Sequence, residues 1–100
     1  MDDRSLFTDA PAVPALDETE AAVVRLWEEA LQVRPLGRDD NFFEMGGTSM
    51  LAVRICGGVE RLLGFRPTAD QVFDTDTLAE FAALVRAAAP VAAPALVRAA

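Results

Sequence analysis

Apolar side chains fall into helical periods along most of this chain. Val23, Leu26, Trp27, Ala30 and Leu31 recur at the i, i+3, i+4, i+7, i+8 spacing of one buried face. Asp17 precedes them as an N-cap, with Glu20 three positions on as its capping partner. Pro35 and Gly37 are expected to stop this first helix. A second helix is predicted from Ser49 to Leu63, ending at Gly64, a natural C′ residue. Leu51, Ile55, Val59 and Leu62 are its expected core stripe, and Met50 and Val53 point away from that stripe. Thr68-x-x-Gln71 is a capping-box pattern followed by Val72 and Phe73, which predicts a short third helix. Thr77-x-x-Glu80 opens a fourth, with Leu78, Phe81, Ala82 and Val85 on one face and its end before Pro90. No stretch alternates at period two, so no sheet is expected. The fold class is all-α, a small four-helix bundle with a short third helix.

The connection from about Val33 to Thr48 is long for so small a domain, which marks it as functional. It carries Phe42 and Phe43, and at least one of them should plug the core and pin the loop. Gly57 and Gly58 sit inside the second helix at a cost of about 1 kcal/mol each relative to alanine. Either they allow a close backbone approach or they merely weaken the helix. Residues 1–14, with Pro11 and Pro14 and no period, read as a flexible leader. Residues 89–100 are rich in alanine and proline and read as a tail. The domain proper is expected over residues 15–88.

One hundred residues bound the chain to one domain with a modest core. Nine arginines, no lysine and sixteen acids give a formal net charge of −7. That balance argues against nucleic acid and an anionic membrane, and fits docking on positively charged partner surfaces. No apolar run is long enough to span a bilayer and the N-terminus is no signal peptide, so a cytoplasmic protein is expected, and a monomer. Cys56 is the one cysteine, so no internal disulfide can form.

The residues for catalysis are missing. Without histidine, tyrosine or lysine there is no Ser-His-Asp triad, no histidine metal site and no lysine Schiff base. Gly47-Thr48-Ser49-Met50-Leu51 fails the G-x-S-x-G elbow at Leu51. Asp39, Asp40 and Glu44 do not meet a calcium-loop pattern, so no metal is expected. Cys56 lies mid-helix without a histidine to activate it and reads as a small hydrophobe. Ser49 remains. It follows Gly46, Gly47 and Thr48 at a helix start, where small neighbours leave it accessible and the N-terminal dipole favours an anion. Two readings of the residues stand: Ser49 or Thr48 simply caps the helix, or Ser49 is a site of modification. Met50 and Val53 read either as a docking patch beside it or as scattered surface apolars.

The run Asp40-Asn41-Phe42-Phe43-Glu44-Met45-Gly46-Gly47-Thr48-Ser49-Met50 closely resembles the Asp-Asn-Phe-Phe-Glu-Leu-Gly-Gly-x-Ser-Leu motif of peptidyl carrier proteins from nonribosomal peptide synthesis. Methionine replaces leucine at two positions, and Thr48 stands where histidine or aspartate is common. Trp27 and the Val72-Phe73-Asp74 segment before Thr77-Leu78 extend the resemblance, with Asp76 in place of a proline. It implies a carrier bundle over about residues 15–88. It implies covalent 4′-phosphopantetheine on Ser49, flanked by Gly46, Gly47 and Thr48. A phosphopantetheinyl transferase would attach the arm. An adenylation enzyme would load an acyl or aminoacyl group as a thioester, and condensation or tailoring enzymes would use it. The resemblance also implies that the protein itself catalyses nothing. A chain that opens on Met1 with one domain is expected to be a free-standing carrier. The alternatives are an acyl carrier of polyketide or fatty-acid type and an unmodified helical interaction module.

Overall fold

The computed structural model describes residues 4–88. It contains a single 3-10 turn at Arg4–Leu6 and four α-helices: α1 Glu18–Leu31, α2 Ser49–Leu63, α3 Ala69–Asp74 and α4 Leu78–Ala88. Among the described residues there is no strand. The expected class, helix order and short third helix are all present. The expected tail, 89–100, lies outside the described residues, as do residues 1–3.

Each helix start follows from a side chain that satisfies orphan amides. Asp17 caps α1 by accepting from Glu20 N at 2.8 Å, while the Glu20 carboxylate reaches back to Leu16 N at 3.0 Å. Thr68 and Gln71 form the reciprocal capping box of α3. Thr77 Oγ1 accepts from Glu80 N, and Glu80 Oε1 accepts from Asp76 N at 2.8 Å. The end of α1 differs from expectation. It stops at Leu31, ahead of Pro35 and Gly37, because Gln32 takes a left-handed conformation at φ 56°. The Gln32 amide donates to Glu28 O and its side-chain Nε2 to Glu29 O, which satisfies two carbonyls of the last turn.

Helix α1 packs against both α4 and α2, and α3 closes on α2. Trp27, Ile55, Val59, Leu78, Phe81 and Val85 are fully buried between them. The stripe of α2 needs correction. Leu62 is 40% exposed and Leu51 only half-buried, whereas Ala52, Cys56 and Leu63 are buried with Ile55 and Val59. The small side chains of Ala52 and Cys56 face the neighbouring helices where the bundle brings them close, and Leu62 is left at the surface. Gly58 shows that closeness: a Cβ there would lie 2.7 Å from Leu26 Cδ2 of α1. At Gly57 a Cβ would meet nothing nearer than 3.7 Å, so only Gly58 is required by packing.

Residues 4–14 lie against the α1–α2 connection. Arg4 is 5% exposed, and its guanidinium donates to Asp40 Oδ1 at 2.7 Å and to the carbonyl of Ala10. Val13 O accepts from Arg38 N, and it lies 2.4 Å from where a Cβ on Gly37 would sit. That contact is why residue 37 carries no side chain.

Arg38 and Glu20 tie the connection to α1. Arg38 Nε donates to Glu20 Oε1 at 2.8 Å and Nη2 to Oε2 at 3.1 Å, around a carboxylate that is almost fully buried. The Arg38 hydrogen bond, outweighing the opposing effect of burial and aided by Leu16 N–H, holds the Glu20 pKa below its ordinary value. A carboxyl with a lowered folded pKa adds stability at neutral pH that is lost as pH falls through the glutamate range toward that lowered value. Glu20→Gln should therefore lower the urea midpoint at pH 7, with the gap to the parent protein closing in acid. A gap of equal size at both pH values would refute this assignment.

Candidate functional site

The connection before α2 is held residue by residue. Asp40 is buried at 7% exposure, accepting from Arg4 and, at 2.7 Å, from Gly37 N. Its carbonyl accepts from Leu78 N, and that of Arg38 from Ala79 N, so the loop receives the first amides of α4. Asn41 Nδ2 donates to Asp76 O at 2.9 Å, while its Oδ1 accepts from Glu44 N. Polar residues thus bolt the loop to the start of α4 from outside.

Apolar residues pin it from within. Phe42 is 1% exposed and meets Trp27 edge to face, ring centroids 5.5 Å apart. Met45 is buried as well. Phe43 stays 51% exposed and stacks on Phe73 of α3 at 5.1 Å. The expected plug is therefore Phe42, and Phe43 braces the loop against α3.

The two glycines then have separate physical reasons. Gly46 adopts φ 93°, a left-handed backbone that suits glycine. Gly47 passes so close to the Phe42 ring that a Cβ would overlap it, at 2.3 Å. Thr48 is extended and caps α2, its Oγ1 accepting from Leu51 N at 3.3 Å. Thr48 takes the capping role, so the Ser49 hydroxyl is exposed at the first helical position without serving as the cap. The amides of Ser49 and Met50 have no intrahelical acceptor and point toward any anion esterified there. Met50 is 76% and Val53 51% exposed on the same helix.

A phosphodiester-linked arm fits this geometry. The serine is open, the residues before it add no bulk, and the helix end favours negative charge. Cys56 has no comparable access. It is buried, and desolvation pushes its thiol pKa up, which keeps the thiolate scarce at neutral pH. No helix among the described residues is long and apolar enough to cross a membrane.

Arg4, Phe7 and Phe73 are the neighbours that sequence reasoning missed. A Cβ on Gly46 would lie 3.3 Å from the Phe7 ring, which places the leader beside the site. Arg4 and Asp40 are 36 residues apart, and no periodicity links them.

The model of the phosphopantetheine attachment site family matches residues 21–85. Malpinin synthetase of Mortierella alpina is 38% identical over 79 residues, covering 79% of this chain and 1% of that protein. Chondramide synthase of Chondromyces crocatus is 40% identical over 68 residues, covering 68% of this chain and 2% of its own length. Phosphinothricin tripeptide synthetase of Streptomyces viridochromogenes is 39% identical over 74 residues, covering 74% and 7%. The chain thus spans only a small part of the curated relatives it matches. With the matched segment running from within α1 to within α4 and containing the accessible serine, the chain belongs to the phosphopantetheine-attachment family as a carrier (thiolation) domain of peptidyl type.

Proposed function

We propose that Ser49 is the residue that takes 4′-phosphopantetheine, and that the domain presents an aminoacyl or related acyl group to biosynthetic enzymes. When attached, the group supplies a terminal thiol on a flexible arm, where the acyl group is held as a thioester. The single observation that carries this reading is the exposed Ser49 hydroxyl at the first position of α2, with the cap already supplied by Thr48. Gly46 and Gly47 keep the approach low, and Phe42 fixes their position.

The domain catalyses neither attachment nor loading. The chain holds no histidine or lysine to act as a base, and the proton of the Ser49 hydroxyl leaves to a group on the transferase. An adenylation enzyme would load the arm, and condensation or tailoring enzymes would take the acyl group from it. Met50 and Val53 form the apolar part of the docking surface, since they follow the serine on α2 and are large apolar side chains left exposed. The setting is cytoplasmic, where coenzyme A is supplied, and the carrier acts as a monomer.

The test is intact-protein mass spectrometry after incubation with coenzyme A, magnesium and a broad-specificity phosphopantetheinyl transferase. The folded protein should gain the mass of one phosphopantetheine, located by peptide mapping to Ser49. No gain, or a gain mapped elsewhere, would overturn the assignment.

A further inference from the structure

Each of the two glycines before Ser49 abuts an aromatic ring. Gly47 meets Phe42 of the connection, and Gly46 meets Phe7 of the leader, whose Cε1 and Cζ each lie 3.3 Å from where a Cβ would be. The Gly46 amide donates to Phe43 O at 3.1 Å, and the Gly47 amide to Phe42 O at 3.0 Å. Those bonds close the turn that delivers the chain to α2, with Gly46 at its left-handed φ of 93°. The two rings differ in setting. Phe42 is 1% exposed and belongs to the core, whereas Phe7 is 43% exposed and covers the turn from the surface. Phe7 also lies outside the residues matched to the family, 21–85.

The leader is anchored on both sides of Phe7. Ahead of it, the buried Arg4 guanidinium donates to the Asp40 carboxylate and to the carbonyls of Ala10, Pro11 and Pro35. Beyond it, Val13 O accepts from Arg38 N at 2.9 Å. A guanidinium donates in fixed directions, so these partners orient the 3-10 turn that opens at Arg4. The Phe7 amide in turn donates to Arg4 O at 2.9 Å, which sets the ring against Gly46.

We propose that the leader is a strap on the attachment loop and that Phe7 is a positioning residue for arm attachment, acting on Ser49 through Gly46. The proposal rests on Ser49 as the attachment residue. In that step Ser49 Oγ bonds to the pantetheine-side phosphorus of coenzyme A and the pyrophosphate P–O bond breaks. Adenosine bisphosphate leaves with the electron pair, and the serine proton passes to the transferase. The oxygen must be well placed, since a shift of about 1 Å can cost about a hundredfold in rate. Ser49 stands three residues beyond Gly46, and a pair of glycines by itself leaves that approach loose. A ring seated on Gly46 narrows it before the transferase arrives, which raises the share of molecules with the hydroxyl correctly presented. Residues 4–14 then work with the carrier domain, in place of the flexible leader expected from their composition.

Amide hydrogen exchange by NMR and steady-state phosphopantetheinylation, with coenzyme A, magnesium and a broad-specificity transferase, test this on the full chain. In Phe7→Ala the Gly46 and Gly47 amides should exchange about tenfold faster, while those of Ile55 and Val59 in α2 keep parental rates. A general loss of stability would speed all four. The same variant should lower kcat for attachment about threefold with the KM for the carrier nearly unchanged, whereas a lost docking contact would raise KM. Phe7→Tyr keeps the ring and should match the parent in both measurements. Leu6→Ala removes the neighbouring side chain, which is 78% exposed, and should match it too. Parental exchange at both glycines, a raised KM with parental kcat, or equal changes in Leu6→Ala would each overturn the strap while leaving Ser49 in place. A parent protein that gains no arm would overturn the Ser49 reading and the strap together.

Discussion

Ser49→Ala is expected to abolish arm attachment completely while leaving the bundle intact. The hydroxyl is the one atom the phosphodiester needs, and its neighbours cannot replace it. Thr48 Oγ1 is engaged with Leu51 N, in an extended residue outside the helix. Ser5 belongs to the 3-10 turn of the leader, and Cys56 is buried. The stability cost should be small, within about 0.5 kcal/mol, because the replaced side chain is exposed and the cap is untouched. Intact mass after transferase treatment, read beside a thermal melt, checks both halves. A phosphopantetheine gain on the alanine variant would sink the assignment. A melting transition that collapses would instead show that Ser49 holds the helix start, which the geometry gives to Thr48.

Phe42→Ala should have the largest effect on stability. The ring is buried among Trp27, Phe73 and the neighbouring Phe43, and Gly47 is shaped around it. Removing a buried phenyl ring costs about 3–5 kcal/mol, against a total of about 5–15 kcal/mol for a domain. Phe43→Ala removes a ring that is half exposed and stacked on Phe73 of α3, so it should cost far less. Urea unfolding of both variants separates them, and equal losses would refute the division of labour between the two rings. In the surviving folded fraction of Phe42→Ala, attachment should also slow, since the support beneath Gly47 is gone. This couples the core to the site through one side chain.

Much of the site was legible because its signals are local. A capping residue acts within three positions, so Asp17, Thr68 and Thr77 announced the starts of α1, α3 and α4. The loop motif revealed an accessible serine because two glycines and a helix start are neighbours in sequence. Whether Thr48 or Ser49 capped α2 stayed open, since both hydroxyls suit that role. The backbone decided it: Thr48 is extended, and Ser49 is already helical.

The α2 stripe failed for a different reason. Periodicity locates a face only to within about one residue's rotation, and the stripe Leu51, Ile55, Val59 and Leu62 is spaced as well as the one that faces inward. Packing chose otherwise, placing Ala52 and Cys56 inward and Leu62 at the surface. Gly58 owes its place to Leu26 of α1, a contact that no local pattern encodes.

By itself, then, the sequence determined the helices, their order, the caps of α1, α3 and α4, and a glycine-flanked serine at the start of α2, because each rests on contacts within a turn or two of chain. Tertiary structure alone decided which phenylalanine pins the loop, that Arg4 meets Asp40, and that Phe7 lies against Gly46. Those contacts join residues brought together by the packing of the bundle, and neither period nor composition encodes which side chains will meet there.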